Sequence, residues 1–439
     1  MIYLSLAGCV VVFLLSKPNN NVLIDPLTIF FIGILYYGFF IPISMDIYGD
    51  NRLPFLDGYL YVSNDDIEKI SYLLFGGYTA FVIGWRIFVP KSTTDAALNK
   101  MKIRIIESGD GGRITIICMF LVFLFICLSV FKNQLNLIFS DYQDKILSRY
   151  ENPSFSLIYN LSIITLTVLF CYNILTSRRF IFHSISYVLF LMILSFLTYS
   201  KDPMVLAGIL CFSTGARAFK ISQIYILFAG IVGGIAFLAF FVPAFAFYRS
   251  TGQISFDWIG TLPLADLFSD ARGPFSTIVL AVRGENSVQL ASLLQSFILW
   301  IPRGVWPDRP LDAAEDFARL TMPNWQPGYG LGFSPFAEAT LRFGLVLSPM
   351  LLFLAGISFS IFQRIVAKLL QPTILPASLL IVHGSIMFTL QRGAFSAIFS
   401  NLTQFWIPYF FLYSLFISLS LFLKRATGGA TNVRDHPMK

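Results

Sequence analysis

The sequence predicts an all-α polytopic integral membrane protein with about 11 transmembrane helices and one large loop outside the membrane between spans eight and nine. Three observations carry this. Apolar residues fill 56% of the 439 positions and charged residues only 13%, against about 25% charged in soluble domains. The apolar residues fall in runs long enough to cross a bilayer. Lysine and arginine concentrate in alternate connecting loops. Phe alone occupies 47 positions, and mean hydropathy is +0.72. A soluble fold has nowhere to bury so much apolar surface, which excludes a soluble enzyme, a secreted disulfide scaffold and a disordered chain.

The expected spans are 2–16, 22–43, 69–89, 114–131, 155–175, 181–199, 203–215, 222–248, 344–363, 373–391 and 404–423. The first lacks a basic lead-in and reads as a short span, not a cleaved signal. The seventh opens at Pro203, a residue suited to a first helical turn. The Gly pairs at 76–77 and 233–234 suit close helix packing. The whole of 1–439 reads as one transmembrane domain that includes the loop 249–343.

Orientation follows from charge. One set of loops, with the C-terminal tail, carries 17 basic and five acidic residues, a net of +12. The other carries 14 basic and 19 acidic residues, a net of −5. The positive set is expected in the cytoplasm, which puts the N-terminus outside and the C-terminus inside. Net charge of +7 is thus a topology signal, and no nucleic-acid partner is expected.

The spans carry no charge away from their ends, unlike ion-coupled transporters with midplane carboxylates. Chemistry is therefore expected at the outer surface. The loop 249–343 contains apolar, helix-forming stretches at 275–282 and 288–301 and a Pro- and Trp-punctuated segment at 302–330. It holds Arg249, Arg272, Arg283, Arg303, Arg309, Arg319 and Arg342 and no lysine. Arginine grips phosphate with a planar fork, whereas lysine is a point charge. Two readings stand: a pyrophosphate cradle, or pairing with the loop's nine carboxylates and with lipid head groups. The run Ser63-Asn64-Asp65-Asp66 reads as a capping box before span three or as an acidic catalytic cluster. Asp46, Asp50 and Asp57 read as solvated loop carboxylates or as a transferase acid. Cysteines lie only inside apolar runs, no Cys/His ligand spacing or phosphate-binding glycine loop occurs, and no metal or cofactor is expected.

The segment Ile301-Pro302-Arg303-Gly304-Val305-Trp306-Pro307-Asp308-Arg309-Pro310 resembles a signature of Wzy-type oligosaccharide repeat-unit polymerases. Downstream, Gly332-Phe333-Ser334-Pro335-Phe336-Ala337-Glu338 leads into Arg342-Phe343-Gly344, similar to that family's Gly-rich lead-in, acidic residue and Phe-Gly before a span. Tyr248-Arg249 with Gly252 and Gln391-Arg392-Gly393 look like its other outer arginines, and Lys201 stands where the family often has arginine. The resemblance covers about 200 to 405.

What it implies is a GT-C-like polymerase/ligase architecture in the bacterial inner membrane, with 249–343 as a large periplasmic loop. The implied activity is a glycosyltransferase that joins repeats carried on undecaprenyl diphosphate into O-antigen or similar surface polysaccharide. The lipid-linked chain is donor and a lipid-linked repeat is acceptor. A chain-length regulator, a flippase and the bilayer are the other implied partners. The candidate catalytic residues are Glu338, Arg309 and Arg303; the candidate substrate-binding residues are Arg249, Arg319, Arg392, Lys201, Trp306, Arg272 and Arg342. Glu338 is read as the acceptor's base or as the group that orients an arginine. An O-antigen ligase, another polyprenyl-phosphate transferase and a lipid-linked oligosaccharide flippase or transporter are the alternatives.

Overall fold

The computed structural model describes residues 1–16, 26–56, 58–88, 185, 187–189, 191–192, 269–284, 298–299, 301, 306–325, 332–369, 387–388, 390–395, 414 and 418. The expected spans between 114 and 248, and the tenth and eleventh, lie outside the described residues except for isolated positions. So does Gly233-Gly234.

The chain order is α1 (Ile2–Ser16), α2 (Pro26–Ile34), a π-helical turn (Leu35–Phe39), α3 (Phe40–Tyr48), β1 (Arg52–Phe55), β2 (Gly58–Tyr61), α4 (Asn64–Phe88), α5 (Ser269–Arg283), α6 (Ala313–Thr321), α7 (Pro335–Leu369) and a 3₁₀ turn (Leu390–Arg392). Among the described residues, three stretches are long and apolar enough to cross a membrane: Leu27–Tyr48, Asn64–Phe88 and Pro335–Phe362. They are the expected spans 22–43, 69–89 and 344–363 with shifted ends. Hydropathy marks only the apolar middle, while caps mark the helix limits. Gly49, at φ 65°, stops α3 beyond the apolar run.

The stretch Leu27–Tyr48 is helical throughout but not regular. Pro42 has no N–H to give the carbonyl four residues back. Just upstream the helix widens into the π turn, where the Phe40 N–H donates to the Leu35 carbonyl. A π turn is one way a helix admits a proline. It also sets Tyr36 and Tyr37 inward against Phe388.

The helix α7 has its own break. Gly344 sits at φ 75° and ψ 169°, dividing a short buried helix from a longer, lipid-type one. Pro349 then withholds a hydrogen bond from Leu345, and the Ser348 hydroxyl donates to that carbonyl instead at 2.8 Å. The sequence places a span start at 344; the backbone turns there, but the helix begins nine residues earlier.

Side-chain contacts fix the relative directions. Phe13 stacks on Phe31 with centroids 4.6 Å apart, and the Tyr3 hydroxyl donates to Asp46, so α1 runs against α2–α3. Ser5 reaches the Ser71 carbonyl and Gly8 faces Phe75, so α1 runs with α4. Gly76 faces Pro349 and Gly84 faces Ile357, so α4 runs with α7. The starts of α1, α4 and α7 and the end of α3 thus share one end of the bundle. Arg86 and Arg364 lie toward the other.

The crossing of α4 and α7 is backbone on backbone. A Cβ at Gly84 would collide with the Phe353 carbonyl, and one at Gly356 with the Phe81 carbonyl. Gly77, expected from sequence to serve close packing, admits Leu352 and Phe336. Small residues let helices approach this way where lipid removes the hydrophobic drive for association. Around the crossing lies an aromatic core of Phe30, Phe81, Trp85 and Phe359.

Two features depart from the expected layout. The loop 44–68 shrinks, and its centre is an antiparallel hairpin pairing Arg52 with Tyr61 and Phe55 with Gly58. The stretch 275–282 is helical as expected, but α5 is packed inside the bundle against α7, α4, the π turn and β1. Its residues from Pro274 to Val282 are buried on every side. Its polar residues here are small, and the Thr277 hydroxyl donates to the Pro274 carbonyl at 2.7 Å, so the helix can be enclosed by neighbours on all sides.

Candidate functional site

The site is built on the start of α7. Gly332, at φ 71°, lets the chain pass Pro274 of α5, where a Cβ would stand 3.0 Å from the proline ring. Ser334 caps the helix: its hydroxyl accepts the Phe336 N–H at 3.2 Å, and its carbonyl accepts the Glu338 N–H at 3.0 Å. Pro335 occupies the first turn, where a missing N–H costs nothing. These local rules bring Glu338 to the inner face.

Glu338 is 0% exposed. Its Oε1 accepts from Arg342 Nε at 2.8 Å and from a terminal guanidinium nitrogen at 2.7 Å. Its Oε2 accepts the Phe395 N–H at 2.6 Å. The Arg342 side chain is 9% exposed. At this four-residue spacing an ion pair on an open helix surface contributes only tenths of a kcal/mol. Burial changes the scale, because breaking a buried pair leaves an uncompensated charge.

The second wall is the turn at 390–395. The Phe333 N–H donates to the Arg392 carbonyl at 3.1 Å, and Gln391 is buried with its side chain against Gly33 of α2. Two segments more than fifty residues apart are thereby joined at both Phe333 and Glu338.

A third segment, around the start of α6, approaches the site through Phe317, whose ring centroid lies 5.2 Å from that of Phe333, and through Asp312, which feels the charge of Glu338. The Arg309 N–H donates to the Trp306 carbonyl at 3.2 Å and closes the turn Trp306-Pro307-Asp308-Arg309. The Arg309 guanidinium donates to the Ile301 carbonyl at 2.8 Å and also to the Leu299 carbonyl. Trp306 is exposed. Asp312 caps α6, accepting the Glu315 N–H at 2.7 Å. Burial pushes the Asp312 carboxyl up to about 6, and the negative charges of Glu315 and then Glu338 add to the rise. A folded value above the ordinary carboxylate value of about 3.9 means that this group's contribution to stability is fully present below pH ~4 and is lost as pH rises through about 6. Asp312→Asn keeps the cap and removes the charge. It is expected to match or exceed the parent's unfolding midpoint at pH 7, with the difference vanishing near pH 4. Thermal unfolding across that range checks this, and an Asn variant less stable at every pH would contradict it.

The remaining candidates divide. Arg272 is half-buried on α5, two residues from the Pro274 that touches Gly332. Arg319 is exposed and pairs with Asp316 at 2.7 Å on the surface of α6. Arg249, Arg303 and Lys201 lie outside the described residues.

Sequence reasoning missed a second buried pair. Asp66 does form the capping box, accepting the Ser63 N–H and hydroxyl at 2.8 Å each. It also receives Arg283 from the end of α5, at 3.1 Å to Oδ1 and 2.8 Å to Oδ2, while Arg283 reaches the Tyr61 carbonyl as well. Their separation of 217 residues leaves no local signal. The loop carboxylates Asp46 and Asp50 hold the Tyr3 hydroxyl and Arg52, while Asp57 lies outside the described residues.

No protein-family model matches the chain, and neither a curated protein nor a solved structure matches it.

Proposed function

We propose that the protein polymerises oligosaccharide repeats carried on undecaprenyl diphosphate, acting at the end of the bundle where α1, α4 and α7 begin. One observation carries the reading. The lead-in Gly332–Gly344 and the turn Gln391-Arg392-Gly393, two of the segments that resemble the polymerase family, are hydrogen-bonded to each other at Phe333 and at Glu338. A site assembled from distant loops that share a resemblance is what function on a rigid scaffold requires.

In this reading the acceptor hydroxyl attacks the donor's anomeric carbon, the bond to diphosphate breaks, and the hydroxyl proton passes to the departing diphosphate, directly or through water. Charge grows on the leaving diphosphate, and fixed guanidinium groups stabilise it. Arg342, Arg392, Arg309 and Arg303 are the groups offered for that task. Glu338, with both oxygens engaged, orients Arg342. The donor is already activated, so no nucleotide is needed. O-antigen ligases resemble one another in a histidine within their large loop, and the sequence from 249 to 343 contains none, which favours this reading over a ligase.

The test is deletion of the gene and a gel of the cell-surface polysaccharide. Loss of polymerase leaves one repeat on the core; loss of a ligase leaves none, with polymer retained on lipid; loss of a flippase leaves neither. Either of the last two patterns would overturn the proposal. Restoring the gene with Arg303→Lys, which keeps charge but loses the fork, is expected to lower polymerisation about 10- to 150-fold at normal abundance.

A further inference from the structure

The β1–β2 hairpin has one face on the core and one face free. Leu53 is buried, and Phe55 and Leu60 pack against the core, so the alternate residues Arg52, Pro54, Tyr59 and Tyr61 point away from it. Tyr59 is 72% and Tyr61 63% exposed. The hairpin is tethered at both ends, to the end of α3 at Tyr48 and the start of α4 at Asn64. Strands of four residues reach only about 13 Å, so the hairpin stays near the level of the helix ends.

Its surroundings are not those of an aqueous loop. Ile47 and Tyr48, at the end of α3, are exposed. Tyr3 and Leu4 begin an exposed flank of α1 that runs on to Leu15, and Phe75 and Ile83 continue one on α4. The hairpin face thus shares one end of the bundle with the flanks that apolar side chains mark for lipid, and follows the exposed Ile47 and Tyr48 in the chain. Its own chemistry is amphipathic: phenol rings with a hydroxyl at the tip, and Arg52 lying 5.8 Å from the Tyr59 centroid while paired to Asp50. Tyrosine rings of this kind favour the head-group layer, where one end is apolar and the other wet.

We propose that the Tyr59–Tyr61 face of the hairpin lies in the head-group layer of the bilayer, as an interfacial anchor at the α1-start end of the bundle. The occupant of the face is lipid; a sugar chain, the other partner an exposed tyrosine pair suits, is the competing outcome. The inference does not depend on the reaction catalysed.

The experiment uses the full chain in phosphatidylglycerol/phosphatidylethanolamine nanodiscs. Tyr59→Cys and Tyr61→Cys are each labelled with bimane, with the unsubstituted chain as background for its own thiols, of which Cys9 is buried. The expected result is quenching by a lipid carrying a nitroxide near its head group. Quenching by aqueous iodide should be at least about threefold weaker than for a bimane–cysteine adduct in water, because the interface excludes the anion. Iodide quenching equal to the free adduct with no effect of the nitroxide lipid would overturn the proposal. Iodide quenching relieved by added oligosaccharide would overturn it equally, and assign the face to sugar. Normal yield and monodispersity of both labelled variants confirm that the fold is intact, since the substituted rings are exposed.

Discussion

Replacing Asp66 with alanine is expected to destabilise the protein by about 3–5 kcal/mol, because Arg283 would be left part-buried without its counter-charge. Four hydrogen bonds converge on this carboxylate, two from Ser63 and two from Arg283. The alanine also removes half of the capping box, a further loss of about 1 kcal/mol. Asp65, one residue away, provides the contrast. It pairs with Lys69 on an exposed surface and its alanine variant should leave the unfolding midpoint nearly unchanged. Replacing both members of the buried pair, as Asp66→Leu with Arg283→Met, should recover much of the loss, since no lone charge remains. Thermal unfolding in nanodiscs measures these three variants together with the single variants Asp66→Leu and Arg283→Met. If the two single effects simply added in the double variant, the pair would not be coupled and the argument would fail.

The Glu338→Gln variant is expected to fall in abundance and to leave single repeats on the gel. An amide offers one acceptor and one donor end. The carboxylate it replaces accepts from Arg342 on one side and the Phe395 N–H on the other. One of those donors must therefore face an N–H, and Arg342 loses its counter-charge in a site with little water. The cost is on the order of 3 kcal/mol. Stability and function are separated by the double variant Glu338→Leu with Arg342→Met, which removes both charges. Its abundance should recover while polymer stays absent, if Arg342 contacts the diphosphate. Long polysaccharide from that double variant would remove both residues from the site.

Much of this molecule was legible in local patterns. Ser63 with Asp66, Ser334 with Pro335, and Glu338 with Arg342 lie within one turn of each other, and helix geometry alone brings them together. The apolar stretch 275–282 announces a helix, and Gly77 announces a close approach. The hairpin at 52–61 was not legible, because strands of four residues broken by Pro54 give too short a period to read. Nor did α5 show whether it lies on the bundle or in it; only its neighbours settle that.

The sequence by itself determined the class of solvent, three of the spanning segments seen here and the caps that begin two of them. Those follow from composition, from run length and from contacts between residues a few positions apart. The tertiary structure alone decided which charges are buried. Asp66 with Arg283, and Glu338 with Phe395, are separated by 217 and 57 residues, and nothing in the intervening chain encodes their meeting. The same holds for Gly84 and Gly356, each ordinary in its own helix until the two backbones touch. A carboxylate on a free helix surface and one sealed between two segments read identically in sequence. Packing removes the water, and the removal of water gives each charge its role.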